Sequence, residues 1–557
     1  MIFKIFTAAP RIKNPNALLA HSFFNPLLFL SNCLCFAVLA VTVITATNSY
    51  AIDAQKIDAP HDESITNGTQ QPINISRLDS RAFLQQLITS NLEVQYSRLN
   101  TSVTGHLGSA EASIYVPTFF SNLHKENRYR QRTIQEIRIT NSGTYILDEK
   151  VNSLESGVRS KLPTGAELSL SYKRSNTNNN LIQQNSLGIF NTEYSGLLNL
   201  NLKQPLLKNS GRSVTETDKK IAELEYQAAL QQLTQQTFKT SIDGLNLYWQ
   251  LHRAQETVKF RRDAVSTSKA LLTDAQSRVT AGKTPQSAIL ELNGTVLNRE
   301  AELMRSMQGL REAQSKLLTA LNVLWSNDTP AVTDPVLHPS DLNISETQYT
   351  LDDLLMLWPP YQIALVRKQQ AVVRLNFARN QKKPLLDFVM SYSNTGLAYS
   401  PTDAKQTTLS GKYPDWYVGL NFEYPIDGNQ KAQEQFLAQM TRLEQSELEL
   451  LAIRNGFIND VGVRLDDMKN ARSVLKLSDS EVKLRLSIFE NERIRVRLGV
   501  GLIGNLIQKQ SELIEAQQRL VENQTRYEIA LVTWQYTRGN LLTDNGIVIT
   551  NAATVLN

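Results

Sequence analysis

Proline placement limits what this chain can fold into more than any other feature. None of its 18 prolines lies between Pro205 and Pro285, and none follows Pro425. An interior proline costs a helix about 3 kcal/mol, so windows this long without one can hold unusually long helices. The segments inside them are rich in Ala, Leu, Gln, Glu, Lys and Arg, which helices favour. A helix from about Arg212 to Ala281 would run on the order of 100 Å at roughly 1.5 Å per residue. No compact domain of a 557-residue chain has room for several of those, so an elongated molecule is expected.

The apolar residues in these windows keep a seven-residue register. Ile289, Val296, Leu303, Leu310, Leu317 and Leu324 form one such row, and Leu506, Leu513, Leu520, Tyr527 and Trp534 form another. A sustained period of about 3.5 belongs to helices that supercoil against neighbours. A companion row one residue on, Leu290, Leu297, Met304 and Leu318, widens the stripe, with Arg311 interrupting it. A helix with two rows can meet neighbours on two sides, as in a closed ring of helices; an ordinary bundle core gives a similar stripe.

Composition removes several classes. With 41% hydrophobic and 20% charged residues the chain is neither a polytopic helical membrane protein nor disordered throughout. Its net charge of +5 is too mild to suggest a nucleic-acid partner, and without Lys4, Arg11 and Lys13 of the first 50 residues it falls to +2, which argues for nothing. The long apolar stretch Leu27–Ala46 follows that basic segment and precedes Asn48-Ser49-Tyr50-Ala51. This order reads as a secretory signal peptide over 1–51, the alternative being a single membrane anchor. Cys33 and Cys35 both lie inside it, so a mature chain has no disulfide, thiolate metal site or cysteine nucleophile.

Two segments have a different texture. Residues 114–207 contain Glu167-Leu168-Ser169-Leu170-Ser171-Tyr172 and Gly196-Leu197-Leu198-Asn199-Leu200-Asn201-Leu202, and 385–427 contains Asp387–Tyr392 and Trp416–Tyr424. Alternation with period two and aromatics near the ends suits a membrane β-strand, apolar toward lipid and polar toward a lumen; a strand half-buried on a soluble core alternates too. The run Ser175–Asn180 is expected to be an exposed loop. The two halves also correspond. Gln204-Pro205-Leu206-Leu207 matches Tyr424-Pro425-Ile426, and Arg278-Val279-Thr280-Ala281-Gly282 matches Arg495-Val496-Arg497-Leu498-Gly499. The spacing from Pro205 to Arg278 is 73 positions and that from Pro425 to Arg495 is 70, so order and spacing both repeat.

The resulting layout is a polar leader (52–80), a first repeat (81–325), a linker (326–350), a second repeat (351–541) and a C-terminal tail (542–557). The first repeat holds a helix, the β segment 114–207 and long helices 212–281 and 286–325; the second holds a helix, the β segment 385–427 and helices 429–497 and 503–541.

Over roughly residues 81–541 this arrangement resembles the TolC-like outer-membrane efflux protein family. The residues that carry the resemblance are Tyr194–Lys208 running into Gly211-Arg212, the turn 278–282, Trp416–Gly428, and the turn 495–510 ending Leu506-Ile507-Gln508-Lys509-Gln510. The resemblance implies an α+β membrane protein from the outer membrane of a Gram-negative bacterium. Three copies would share one β-barrel, about four strands from each, continued by a long periplasmic α-helical barrel. Segment 114–207 is about twice as long as 385–427, which leaves room for more strands. The implied function is a passive exit duct of an efflux or type I secretion system, without catalysis or cofactor, docked to a periplasmic adaptor and an inner-membrane pump. Drugs, metals, dyes and polypeptides all pass through such ducts, and the pump makes the choice. A periplasmic coiled-coil scaffold or adaptor without a barrel is the alternative reading.

The resemblance places adaptor docking at the helix-helix turns, here Gly282 and Lys283, flanked by Ala281 and Thr284, and Gly499, Val500, Gly501 and Leu502. Some relatives line the constriction with an acidic ring, but the matching positions here are Ala288, Asn505 and Gln508. Asn505 and Gln508 are the candidates for narrowing the opening by hydrogen bonding. Gly499–Gly504 also satisfies G-x-G-x-x-G, but a helix rather than a strand precedes it, against dinucleotide binding. The six histidines show no ligand spacing, and His252 beside Trp249 reads as helix packing. The pairs Asp352-Asp353 and Asp466-Asp467 read as solvated helix faces.

Overall fold

The computed structural model describes residues 79–140, 145–180, 192–282, 284–324, 350–549 and 554–556, all within one unit, Ile73–Asn557. The signal-peptide segment, nearly all of the leader and the linker, and Lys283 lie outside the described residues.

The chain enters through α1 (Ser80–Ser90) and α2 (Leu92–Ala112). It then runs β1 (Thr118–Gln131), α3 (Ile134–Thr140), β2 (Ile146–Lys161), β3 (Glu167–Asn179) and β4 (Glu193–Pro205). A short α4 (Arg212–Thr215) leads into α5 (Thr217–Thr280), and α6 (Ser287–Ala320) returns. The second half repeats the plan with α7 (Leu351–Leu357), α8 (Pro359–Gln381), β5 (Leu385–Ala398), α9 (Pro401–Leu409), β6 (Pro414–Glu423), α10 (Gln430–Arg497) and α11 (Ile503–Thr537). It ends in α12 (Leu541–Asp544) and a small hairpin, β7 (Ile547–Ile549) with β8 (Thr554–Leu556). The 64 residues of α5 and 68 of α10 fill the proline-free windows and extend roughly 96 and 102 Å.

Helices α2, α5, α8 and α10 neighbour one another in that order, and α6 and α11 fold back along α5 and α10. One core joins α1, α5, α6, α11 and α12, with Phe83, Leu87, Leu251 and Leu317 fully buried and the Phe83 and Tyr248 rings 5.5 Å apart. His252 is buried beside Trp249, as a packing residue. A second core sets Leu354 and Leu355 of α7 against Phe457 and Met468 of α10 and Trp534 of α11. The tail adds to the first core through Leu542 and Ile547.

Helix α1 approaches α5 at Gly244, where an added Cβ would run into the Leu87 side chain. Overpacking a filled core costs about 1–3 kcal/mol. Gly244→Ala is therefore expected to lower the thermal unfolding temperature, and Gly244→Leu to lower it further; an unchanged melt for both would mean α1 is not held there.

The heptad rows on α6 separate along most of the helix, although Leu318 of the companion row is buried in the core. Val296 and Leu317 are buried and Leu310 packs on the core, whereas Leu290, Leu297 and Met304 of the companion row stay 72%, 68% and 71% exposed.

The six long strands form one antiparallel meander, β1-β2-β3-β4-β5-β6. This is six strands from the chain rather than about four. The surplus comes from segment 114–207, which supplies four strands. Ser175–Asn179 are not a loop but the last residues of β3, because β2 extends far enough to pair with them, from Ser153 to Glu149. Their polar side chains belong to the part of the sheet beyond its apolar rows.

Candidate functional site

Strand alternation sorts the sheet into two unlike faces. On one face Phe119, Val158, Leu170, Leu200, Tyr392 and Trp416 lie directly opposite one another across all six strands. A neighbouring row on the same face holds Leu168, Leu202, Met390 and Val418. This face is open to its surroundings, with Phe119, Trp416 and Phe422 at 69%, 68% and 67% exposure. The other face carries Ser153, Ser171, Asn199, Asn201, Lys203, Ser391 and Asp387. There Ser153, Ser171 and Asp387 are buried, and Lys203 Nζ sits 3.2 Å from the Asp387 carboxylate. The sheet thus curls around its polar face and presents its apolar one outward. Above the apolar rows α9 rests on the outward face. Its Ala404 and Thr408 close over Gly196 and Gly396, where a Cβ would clash, and the Asn394 amide donates to the Thr408 carbonyl.

Among the described residues no helix is long and apolar enough to cross a membrane. Exposed apolar area of this extent has to be covered by something other than water.

The second surface is at the far end of the long helices. Gly499 closes α10 at φ +80°, with its N–H on the Val496 carbonyl (3.1 Å) and the Val500 N–H on the Arg495 carbonyl (3.0 Å). This six-to-one closure needs a residue in the left-handed region, which is why glycine stands there. Gly282 follows α5 at φ +68°, with its N–H on the Val279 carbonyl (2.9 Å). Gly501 is tight for another reason, since a Cβ would come within 2.9 Å of the Val496 nitrogen. The tips are joined by Arg278, whose guanidinium donates to the Val496 carbonyl at 2.5 Å and to the Asp274 carboxylate at 2.9 Å. A cation on the last carbonyls of α10 also opposes the negative end of that helix. Beneath it Val496, Phe489, Leu506 and Leu513 form a small core.

Outside that core the tip is apolar and open. Val500 and Leu502 are 69% and 71% exposed, and Leu498, not singled out from sequence, is 73% exposed. Gly282 and Gly499 are exposed as well, and Gly501 half-buried. Asn505 and Gln508 both lie on the exposed side of the first turns of α11. Gln508 donates to Glu512 at 3.1 Å, and Glu512 also meets Lys509 (3.0 Å) and Arg485 (2.6 Å), which hold its carboxyl below the ordinary range. So the amides are accompanied by an acidic residue, but one already committed to two cations.

Higher up, a polar network ties three helices together, and nothing in the sequence announced it. Arg261 of α5 and Arg299 of α6 share Glu302 at 2.8 and 2.9 Å, and Arg299 reaches Ser511 of α11 at 2.6 Å. Arg299 and Glu302 are an i,i+3 pair, but the bonds between helices span 41 and 212 positions, beyond any spacing rule. On α11, burial pushes the Glu528 carboxyl up to about 7. A raised carboxyl stabilises the fold below its unfolded value near 4.5, and that contribution is lost as pH rises through about 7. Glu528→Gln is expected to melt with the parent at pH 4 but to be about 1–2 kcal/mol more stable at pH 8, given the side chain's partial access to water. Equal melts at pH 8 would contradict the burial.

No family model and no curated protein sequence matches the chain. Solved structures do. The outer-membrane channel OprN superposes with a TM-score of 0.59 at 12% identity, over 83% of this chain and 90% of that one. The open-state MtrE outer membrane channel of Neisseria gonorrhoeae gives 0.58 at 12%, over 83% and 89%. The outer membrane protein VceC of Vibrio cholerae gives 0.56 at 12%, over 83% and 96%. At these identities the likeness is one of fold, and this chain has the fold of the outer-membrane channels.

Proposed function

We propose that this chain is the outer-membrane exit duct of a tripartite export system in a Gram-negative bacterium, a passive conduit without catalysis. The observation that carries the reading is the sheet with an open apolar outer face and a polar concave face. Lipid covers the first and water fills the second, as a membrane β-barrel requires. Six strands cannot close a barrel, for which about eight is the practical minimum, so other copies complete the wall. Our reading is a homotrimer, in line with the family resemblance. The exposed companion row on α6 supports such assembly, since Leu290, Leu297 and Met304 are left for a neighbouring helix.

The far tips are the docking end. Gly282, Lys283, Gly499, Val500, Gly501 and Leu502, with Leu498 added, would engage a periplasmic adaptor, which links the duct to an inner-membrane pump. Apolar side chains on a rigid glycine-closed turn suit a protein partner. Asn505 and Gln508 would line the narrowest part.

The test is membrane fractionation followed by native mass of the detergent-extracted protein. A trimer from the outer membrane is the expected result. A detergent-independent monomer or dimer would overturn the reading in favour of a periplasmic scaffold whose strands are soluble hairpins.

A further inference from the structure

The sheet's own register says how it closes, and with how many strands. Take the row from Phe119 to Trp416 and measure each member from the helix-side end of its strand. Phe119 stands 1 residue from Thr118, Val158 and Leu170 stand 3 from Lys161 and Glu167, Leu200 stands 5 from Pro205, and Tyr392 and Trp416 stand 7 from Leu385 and Glu423. The row therefore climbs 6 residues, roughly 20 Å, while crossing five strand spacings, roughly 24 Å. With the strand ends level, the strands tilt by about 40°, inside the range of about 35–45° that barrel closure needs. All six strands follow one slope, the first hairpin included. That hairpin also keeps the outward apolar pattern, with Phe119, Leu123, Leu154 and Val158 on the same face as Leu200.

The helices mark the same edges. Helix α2 runs into β1 and α10 leaves β6, so the outermost helices of the row α2-α5-α8-α10 stand next to the outermost strands. Both outer helices carry open apolar seams, Tyr96, Leu99 and Val103 on α2 and Met440, Leu448 and Leu451 on α10. The widths also agree. Four helices at about 8–10 Å occupy roughly 32–40 Å of arc. Six strands at about 4.8 Å and 40° tilt occupy roughly 37 Å, and four strands only about 25 Å.

Resting on the exit-duct reading above, we propose that β6 of each copy pairs with β1 of the next. The membrane wall would then have eighteen strands, six from each of three copies. The partner at each edge is a second copy of this chain. Barrel diameter grows about linearly with strand number, so the opening is about 1.5 times as wide as four strands per copy would give. Such a wall suits bulky cargo and leaves the first hairpin's polar side, including Asn122 and His124, lining the lumen.

Level strand ends put Ser121 of one copy beside Leu420 of the next or, one pleat along, beside Phe422. The pairs Ser121→Cys with Leu420→Cys and Ser121→Cys with Phe422→Cys are to be oxidised in native membranes, with single-cysteine chains as controls. We expect one pair to convert most of the protein to covalently linked dimer and trimer on denaturing gels, and the controls to give none. The rival wall would place β3 at the edge, so Leu170→Cys with Leu420→Cys giving inter-copy bands overturns the eighteen-strand wall. A detergent-extracted trimer without bands from either Ser121 pair overturns it too, while leaving the duct standing. A soluble monomer by native mass removes both.

Discussion

Leu200→Lys is expected to abolish assembly, while Asn201→Lys, one residue along the same strand, leaves it intact. Leu200 lies on the outward face between Leu170 and Tyr392, and 5 residues from the strand end, well inside the apolar rows. Asn201 faces the other way, between Ser169 and Ser391. A lysine facing lipid near the midplane costs about 2–4 kcal/mol, and three copies multiply this to roughly 6–12 kcal/mol per assembly. The same lysine in a water-filled lumen costs little. Because the two sites share a strand, a ladder and nearly the same depth, strand propensity and expression affect both equally. The readout is the fraction of trimer that survives mild detergent. Equal loss in both variants would mean that neither face meets lipid. Loss confined to Asn201→Lys would mean that the faces are reversed, with the apolar side inward on a soluble core.

The sequence displayed the long helices because their signals are local. Prolines bound the windows, and the seven-residue rows run without help from distant residues. The companion row was legible too, and its Leu290, Leu297 and Met304 stand exposed, as the proposed assembly of copies requires. The strand count was not legible. β1 reads Thr-Phe-Phe-Ser-Asn-Leu-His-Lys-Glu-Asn-Arg-Tyr-Arg-Gln, and its upper half carries charge on both faces because it rises beyond the apolar rows. A strand half in and half out of the apolar band loses the alternation that marks β4. Ser175–Asn179 were hidden for the same reason: what makes them strand is the ladder with β2, a partner more than twenty positions away. In the polar network of Arg261, Glu302, Arg299 and Ser511 only the i,i+3 pair Arg299–Glu302 is local; its links to Arg261 and Ser511 depend on three helices meeting, and spacing carries no trace of them. At the tip, glycine positions gave away the turns, while Arg278 showed only as part of a repeated pattern. Its clamp on the Val496 carbonyl belongs to the packing of one tip on the other.

Leu502→Asp and Gly499→Asp are each expected to lower export at least 100-fold with barrel and trimer unchanged. The structure separates the two effects at these positions. Leu502 is 71% exposed just before α11 and outside the small core below it, so a carboxylate there meets only water in the unattached duct. Gly499 adopts φ +80°, a region where aspartate is among the better tolerated side chains, and an added Cβ meets nothing within 4 Å. The local strain of about 1–2 kcal/mol is small against an assembly held by long helices and a shared sheet. Docking is different. Covering an unpaired carboxylate with an apolar partner surface costs several kcal/mol, and it recurs once in every copy. About 2.7 kcal/mol already amounts to 100-fold. Export by whole cells and co-purification of the adaptor should fall together, while Leu502→Met retains both and the detergent-extracted trimer survives throughout. Normal export from both aspartate variants would remove the tip from the docking surface. Loss of the trimer would assign Val500, Leu502 and their glycines to assembly rather than to contact with a partner.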